Sequence, residues 1–133
     1  MSPDLSWVLN DVLQVRGARH AILVSADGLL LERSSEIGRD EAETNAAAMS
    51  SMQSLSRAVA PFVGSTGGAW RQTLLEYDHG WIFLIAAGSG AYLAASTAPD
   101  VDMEAMSFRM QQQVGALGRA MTAAPRQSTH SGS

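Results

Sequence analysis

Residues 20–33 read HAILVSADGLLLER, two apolar runs folded about Asp27-Gly28. Asp-Gly is a strong hairpin signal, because both central residues of a type I′ turn need positive φ. Residues 20–25 and 29–33 are therefore predicted as paired antiparallel strands. Apolar side chains at successive positions, where a half-exposed strand would alternate, imply burial on both sheet faces. The same reading applies to 81–87, WIFLIAA, which belongs at the sheet centre. Residues 70–77, WRQTLLEY, mix Arg71, Gln72 and Thr73 with Leu74 and Leu75, which suits an edge; 91–96 form a fifth strand. Asp78-His79-Gly80 and Gly88-Ser89-Gly90 are short enough for antiparallel hairpins.

Helices are predicted around these strands. The first covers 3–15, with Ser2 as cap, Pro3 in the first turn and Asp4 at the positive end of the dipole. Leu5, Val8, Leu9 and Val12 recur at helical spacing, and Gly17 ends the element. A long second helix opens with Asp40, Glu41 and Glu43 after Gly38-Arg39 and runs to about Ala60, before Pro61 and the connector GSTGG at 64–68. Pro99-Asp100 opens a last helix with an apolar stripe of Met103, Met106, Met110, Val114, Leu117 and Met121. Residues 122–133, TAAPRQSTHSGS, are predicted as a disordered tail, which leaves one domain over 1–121. The order is α-β-β-α-β-β-β-α. Five antiparallel strands with an apolar centre need cover on both faces, so the expected fold is an α+β protein, an α/β/α sandwich.

The middle of the second helix, TNAAAMSSMQSLS at 44–56, carries no charge. Wound at about 100° per residue, it places Ala48, Met52, Leu55 and Val59 on one stripe, read here as the core face. The opposite side holds Ala42, Ala46, Ser50, Gln53 and Arg57, mostly small where a solvated helix would carry Glu and Lys. Two readings stand. Alanine is the best helix former, so the helix could simply face water; or its small face packs closely on another polypeptide, which makes the chain an interaction module.

Composition excludes much chemistry. At 133 residues and 46% hydrophobic, the chain makes one domain with a real core. It has no cysteine, hence no disulfide or thiolate metal site. The opening residues lack the features of a signal peptide, and no apolar run approaches the ~18 residues of a transmembrane span, so a soluble cytoplasmic protein is expected. A net charge of −4 argues against nucleic acid as a partner. All nine basic residues are arginine, which rules out a Walker-type lysine, a Schiff-base lysine and a lysine general base. His20, His79 and His130 stand alone, and Asp27 and Asp78 are explained by turn chemistry. Glu32, Glu36, Glu41 and Glu43 read as solvated charge around the second helix. Residues 64–68 run from helix to strand, the reverse of a phosphate loop, and no GxSxG elbow is present. The methionines read as core filling. No catalytic, cofactor-binding or metal-ligating residue is expected, and no enzyme.

The hairpin SADGLLLER at 25–33, the Ala/Ser-rich second helix and RQTLLEYDHGWIFLIAAG at 71–88 together resemble the roadblock/LC7 family, most of all the small roadblock proteins of actinobacterial conservons. The resemblance covers about 5–121 and rests on the ordered set of features. It implies a profilin-like fold and a homodimer in which the second helix and third strand meet their symmetry mates. It further implies binding to a small Ras-like GTPase, as regulator or adaptor, in company with a sensor-kinase-like protein. Carried over by position, the dimer interface comprises Ala46, Ser50, Gln53 and Arg57 on the helix with Arg71, Gln72, Thr73, Leu74 and Leu75 on the strand. No arginine finger is assignable. The strand order expected is 2-1-5-4-3, with the second helix on one face and the others opposite. The alternative is a PAS- or GAF-like sensor binding a small molecule in its core, against which stands the single uninterrupted helix after two strands.

Overall fold

The computed structural model describes residues 4–64, 68–88 and 90–132, with side chains inside the last helix described as far as Ala120. Ser2, Pro3 and the centre of the 64–68 connector lie outside the described residues. The chain forms α1 (Ser6–Val12), β1 (Ala18–Ser25), β2 (Leu30–Arg33), α2 (Arg39–Ala58), a 3-10 turn (Ala60–Phe62), β3 (Gln72–Tyr77), β4 (Gly80–Ala86), β5 (Ala91–Thr97) and α3 (Met103–Gly132). All strand pairs are antiparallel, in the order β2-β1-β5-β4-β3. The predicted element order and strand order are both observed. WIFLIAA lies inside the sheet, one strand from the edge; the centre itself is β5, whose small Ala91, Ala94 and Ala95 leave room for the layers above and below.

Successive apolar residues of each inner strand part to opposite faces, as the pleat requires. Ala21 and Leu23 of β1, Phe83 and Ile85 of β4 and Leu93 of β5 meet α1 and α3, through Val8, Leu9, Val12, Met106, Met110 and Leu117. Ile22, Val24, Leu84, Tyr92 and Ala94 meet α2, through Ala42, Ala46 and Met49. The two helices of the first face are tied together at Asp11, whose carboxylate takes Arg109 Nη1 at 3.3 Å and Gln113 Nε2 at 2.7 Å. Before α1, Ser6 N–H donates to Asp4 Oδ1 at 3.0 Å, and this backbone bond holds the Asp4 carboxyl below its usual range.

Two expectations are corrected. The 25–30 hairpin is not a two-residue type I′ turn: Gly28 N–H closes on Ser25 C=O across Ala26-Asp27, and positive φ falls at Gly28, the residue after the two corners. Ser25 Oγ, bonded to Asp27 Oδ1, also accepts from Leu29 N–H at 3.0 Å, so Asp27 serves the turn by side-chain bonding. Over 122–132, part of the segment expected as a tail, the backbone continues α3 to Gly132. The second correction concerns which side of α2 faces the sheet.

Candidate interaction surface

The stripe of α2 that packs on the sheet is Ala42, Ala46, Met49 and Gln53. The assignment of faces made from periodicity is thus inverted. Ala42 and Ala46 have no exposed surface, and their small side chains bring the helix axis close to Ile22, Val24 and Ala94. Of the stripe expected in the core, Leu55 is 64% and Val59 61% exposed and Ala48 is exposed, while Met52 is half-buried and packs against the edge of the core. Just beyond the helix end, Phe62 is 97% and Val63 85% exposed.

Of the expected interface residues on α2, none presents a free small face. Ala46 is fully buried, so a bulky substitution there would test the fold and not an interface. Ser50 turns to the β1–β2 hairpin and donates to Ala26 C=O at 3.2 Å. Gln53, 8% exposed, accepts from Arg57 Nε at 2.7 Å, and the Arg57 guanidinium lies 5.5 Å over the Trp70 ring. Trp70 in turn meets Tyr92 edge-on and donates from Nε1 to Thr73 Oγ1 at 2.9 Å; Ser56 Oγ shares the same hydroxyl at 2.6 Å. Gln53, Arg57, Trp70, Thr73 and Ser56 therefore clamp the C-terminal half of α2 to the start of β3. No local signal reveals this chain of contacts, because it joins residues far apart in sequence.

The strand residues fare as expected of an edge. Gln72 and Leu74 are exposed, as is Arg71 just ahead of β3, while Thr73 and Leu75 are half-buried on the α2 side. Among the described residues β3 pairs only with β4, which leaves its outer backbone groups without a strand partner there. Beside this edge runs the apolar flank of α2, since Ser56 touches Thr73 and Met52, Leu55 and Val59 follow on the same side of the helix. One contiguous surface results: an open strand edge with an apolar ridge alongside it. Elsewhere the described residues hold no group of three His, Asp or Glu placed to bind a metal, and no helix among them is long and apolar enough to cross a membrane.

The Roadblock/LC7 domain profile matches residues 6–97. The chain belongs to the Roadblock/LC7 family. It is similar to the Roadblock/LC7 domain of Streptomyces avermitilis at 29% identity, with 90% of this chain and 99% of that one covered and a TM-score of 0.83. The gliding protein MglB of Thermus thermophilus shares the fold at 19% identity, 90% coverage of both chains and a TM-score of 0.77. Profilin II of Acanthamoeba castellanii does so at 14% identity, with 87% and 95% covered and a TM-score of 0.60, which makes the fold profilin-like. No curated protein matches the chain. The PAS- or GAF-like alternative finds no support among these relatives.

Proposed function

We propose that this Roadblock/LC7 protein is a two-fold homodimer that regulates, or serves as adaptor for, a small Ras-like GTPase in the cytoplasm, without chemistry of its own. The observation that carries the reading is the ridge of Ala48, Met52, Leu55 and Val59 beside the open β3 edge. An unpaired edge strand is a template for another strand, and pairing with its own symmetry mate removes the hazard while extending the sheet. An apolar ridge next to it gives the pairing a hydrophobic component. The interface in this reading is β3 with the outward flank of α2; Arg71, Gln72, Thr73, Leu74 and Leu75 keep their assigned place, and Leu55 and Val59 replace Ala46 and Gln53.

The GTPase partner follows from the family resemblance, which also suggests a sensor-kinase-like protein in the same assembly. A regulator of a switch protein must bind its two nucleotide states unequally, since only differential affinity shifts an equilibrium. The test is titration of the purified protein with a small Ras-like GTPase from the same organism, loaded in turn with GDP and a GTP analogue. Tighter binding in one state supports the reading. No binding in either state sinks the GTPase assignment, and tight binding of free nucleotide to this chain alone contradicts a role without its own site.

A further inference from the structure

Between the N-terminal half of α2 and the sheet lies a cavity of about 220 Å³, open at one side and lined by Ile22 and Ile82 from the sheet and Met49 from α2, with the polar His20, Ser96, Asn45 and Glu41 also in its lining. It lies where α2 leaves the sheet uncovered. His20, Ser96 and Ile82 occupy one cross-strand row, which β3 continues with Leu75. The far end of α2 carries the opposite feature, the almost wholly exposed Phe62. Within one chain the two cannot meet, because Asn45 and Phe62 are separated by roughly 25 Å along the helix direction.

A two-fold axis brings them together. If β3 pairs antiparallel with its mate, the two α2 helices also lie antiparallel, side by side along their apolar flanks. Centring the axis on the exposed ridge, between Met52 and Leu55, sets each Leu55 against the partner's Met52. Each Val59 then falls against the partner's Ala48, and each Phe62 against the partner's Asn45, at the mouth of the cavity. We infer that Phe62 of each subunit fills the cavity beside His20 of the other. The volume suits the occupant, since an apolar cavity of about 150 Å³ holds a benzene ring. The polar Asn45 and Ser96 in the lining let the cavity be hydrated in a free subunit, while Ile22, Met49 and Ile82 offer apolar contact.

This inference rests on the homodimer reading, and its test separates the two. The chain has no cysteine, so introduced thiols report without background. Phe62→Cys chains mixed with Asn45→Cys chains should be joined by a short bis-maleimide, with far less product from either variant alone. Phe62→Ala should weaken self-association about tenfold for each of the two contacts in a dimer. If Leu55→Cys and Met52→Cys chains cross-link but the 62–45 pair does not, the dimer stands and the cavity assignment is overturned. Retention of a small molecule by the wild-type dimer in native mass spectrometry, lost on Asn45→Trp but not on Phe62→Ala, also overturns it. A wild type that sediments as a monomer at micromolar concentration removes the homodimer itself, and this contact with it.

Discussion

β2 and β3 are the two edges of one sheet, yet β2 is four residues long and bulged against β1, whereas β3 pairs with β4 in unbroken register along its whole length. The β2 edge is closed by local devices. Leu31 is the extra residue of the bulge, and Arg33 Nη1 donates to Ile37 C=O at 2.7 Å; on the inner side, Ser34 exchanges two bonds with Ala21 of β1. Bulges, short length and charged side chains are the usual means of keeping an edge from pairing. β3 has none of the irregularity, and an apolar ridge lies beside it. The difference teaches where to look for a partner: an edge is informative when the chain does nothing to protect it.

The largest expected effect comes from breaking the ridge. Leu55→Asp with Val59→Asp should leave the fold intact, because both side chains are mostly exposed, and should reduce self-association at least ~100-fold, about 3 kcal/mol. Sedimentation measures the loss and circular dichroism checks the fold; a dimer that survives both changes shows that the ridge is not the contact. Next comes the edge itself. Arg71 C=O accepts from Ala86 N–H at 3.1 Å, so antiparallel alternation turns the Leu74 N–H outward. Leu74→Pro removes a donor that only a partner strand would use, and should cost the dimer about tenfold while the subunit stays folded. Loss of the fold would place that N–H inside the ladder.

The contrast between the edges also explains what could be read in advance. The strands and their order were legible because β1, β4 and β5 are apolar at consecutive positions, which demands two covered faces and an interior place. β3 was legible as an edge from its mixture of Arg71, Gln72 and Thr73 with leucines. The facing of α2 was not. Ala42, Ala46, Met49 and Gln53 repeat with the same helical period as Ala48, Met52, Leu55 and Val59, so periodicity cannot choose between the stripes. Hydrophobicity chose the larger residues, but close approach to the sheet selected the smaller ones. α2 breaks the rule that the most apolar side is the inner one, and it breaks it at the surface proposed for contact. The Gln53–Thr73 clamp was illegible for another reason: it depends on contacts that exist only after the chain has folded.

Effects on the protected edge should be smaller and of another kind. Ser34 is buried, and its Oγ accepts from Ala21 N–H at 3.0 Å. Ser34→Ala leaves that buried N–H without its acceptor and should lower unfolding stability by about 1–2 kcal/mol in urea titration. Self-association, measured where the variant is fully folded, should not change. A weaker dimer at unchanged stability would mean that β2 takes part in assembly.

The smallest effect is expected at Leu31, and it is the sharpest control. Register pairs Glu32 with Leu23 and Leu30 with Val24, so Leu31 has no partner across β1. Its side chain is 42% exposed, close to the 41% of Leu74 on the opposite edge. The two leucines therefore match in residue type, exposure and edge position, and differ in whether the strand around them is irregular. Leu31→Ser should change stability by no more than about 0.5 kcal/mol and leave sedimentation and GTPase titration unaltered. Leu74→Ser should be equally mild in unfolding yet measurably weaken self-association, because its side chain lies against the pairing edge. If Leu31→Ser were the variant that weakened self-association and Leu74→Ser the silent one, exposure beside the bulge would mark the contact, and the assignment of the open edge to β3 would have to be reversed.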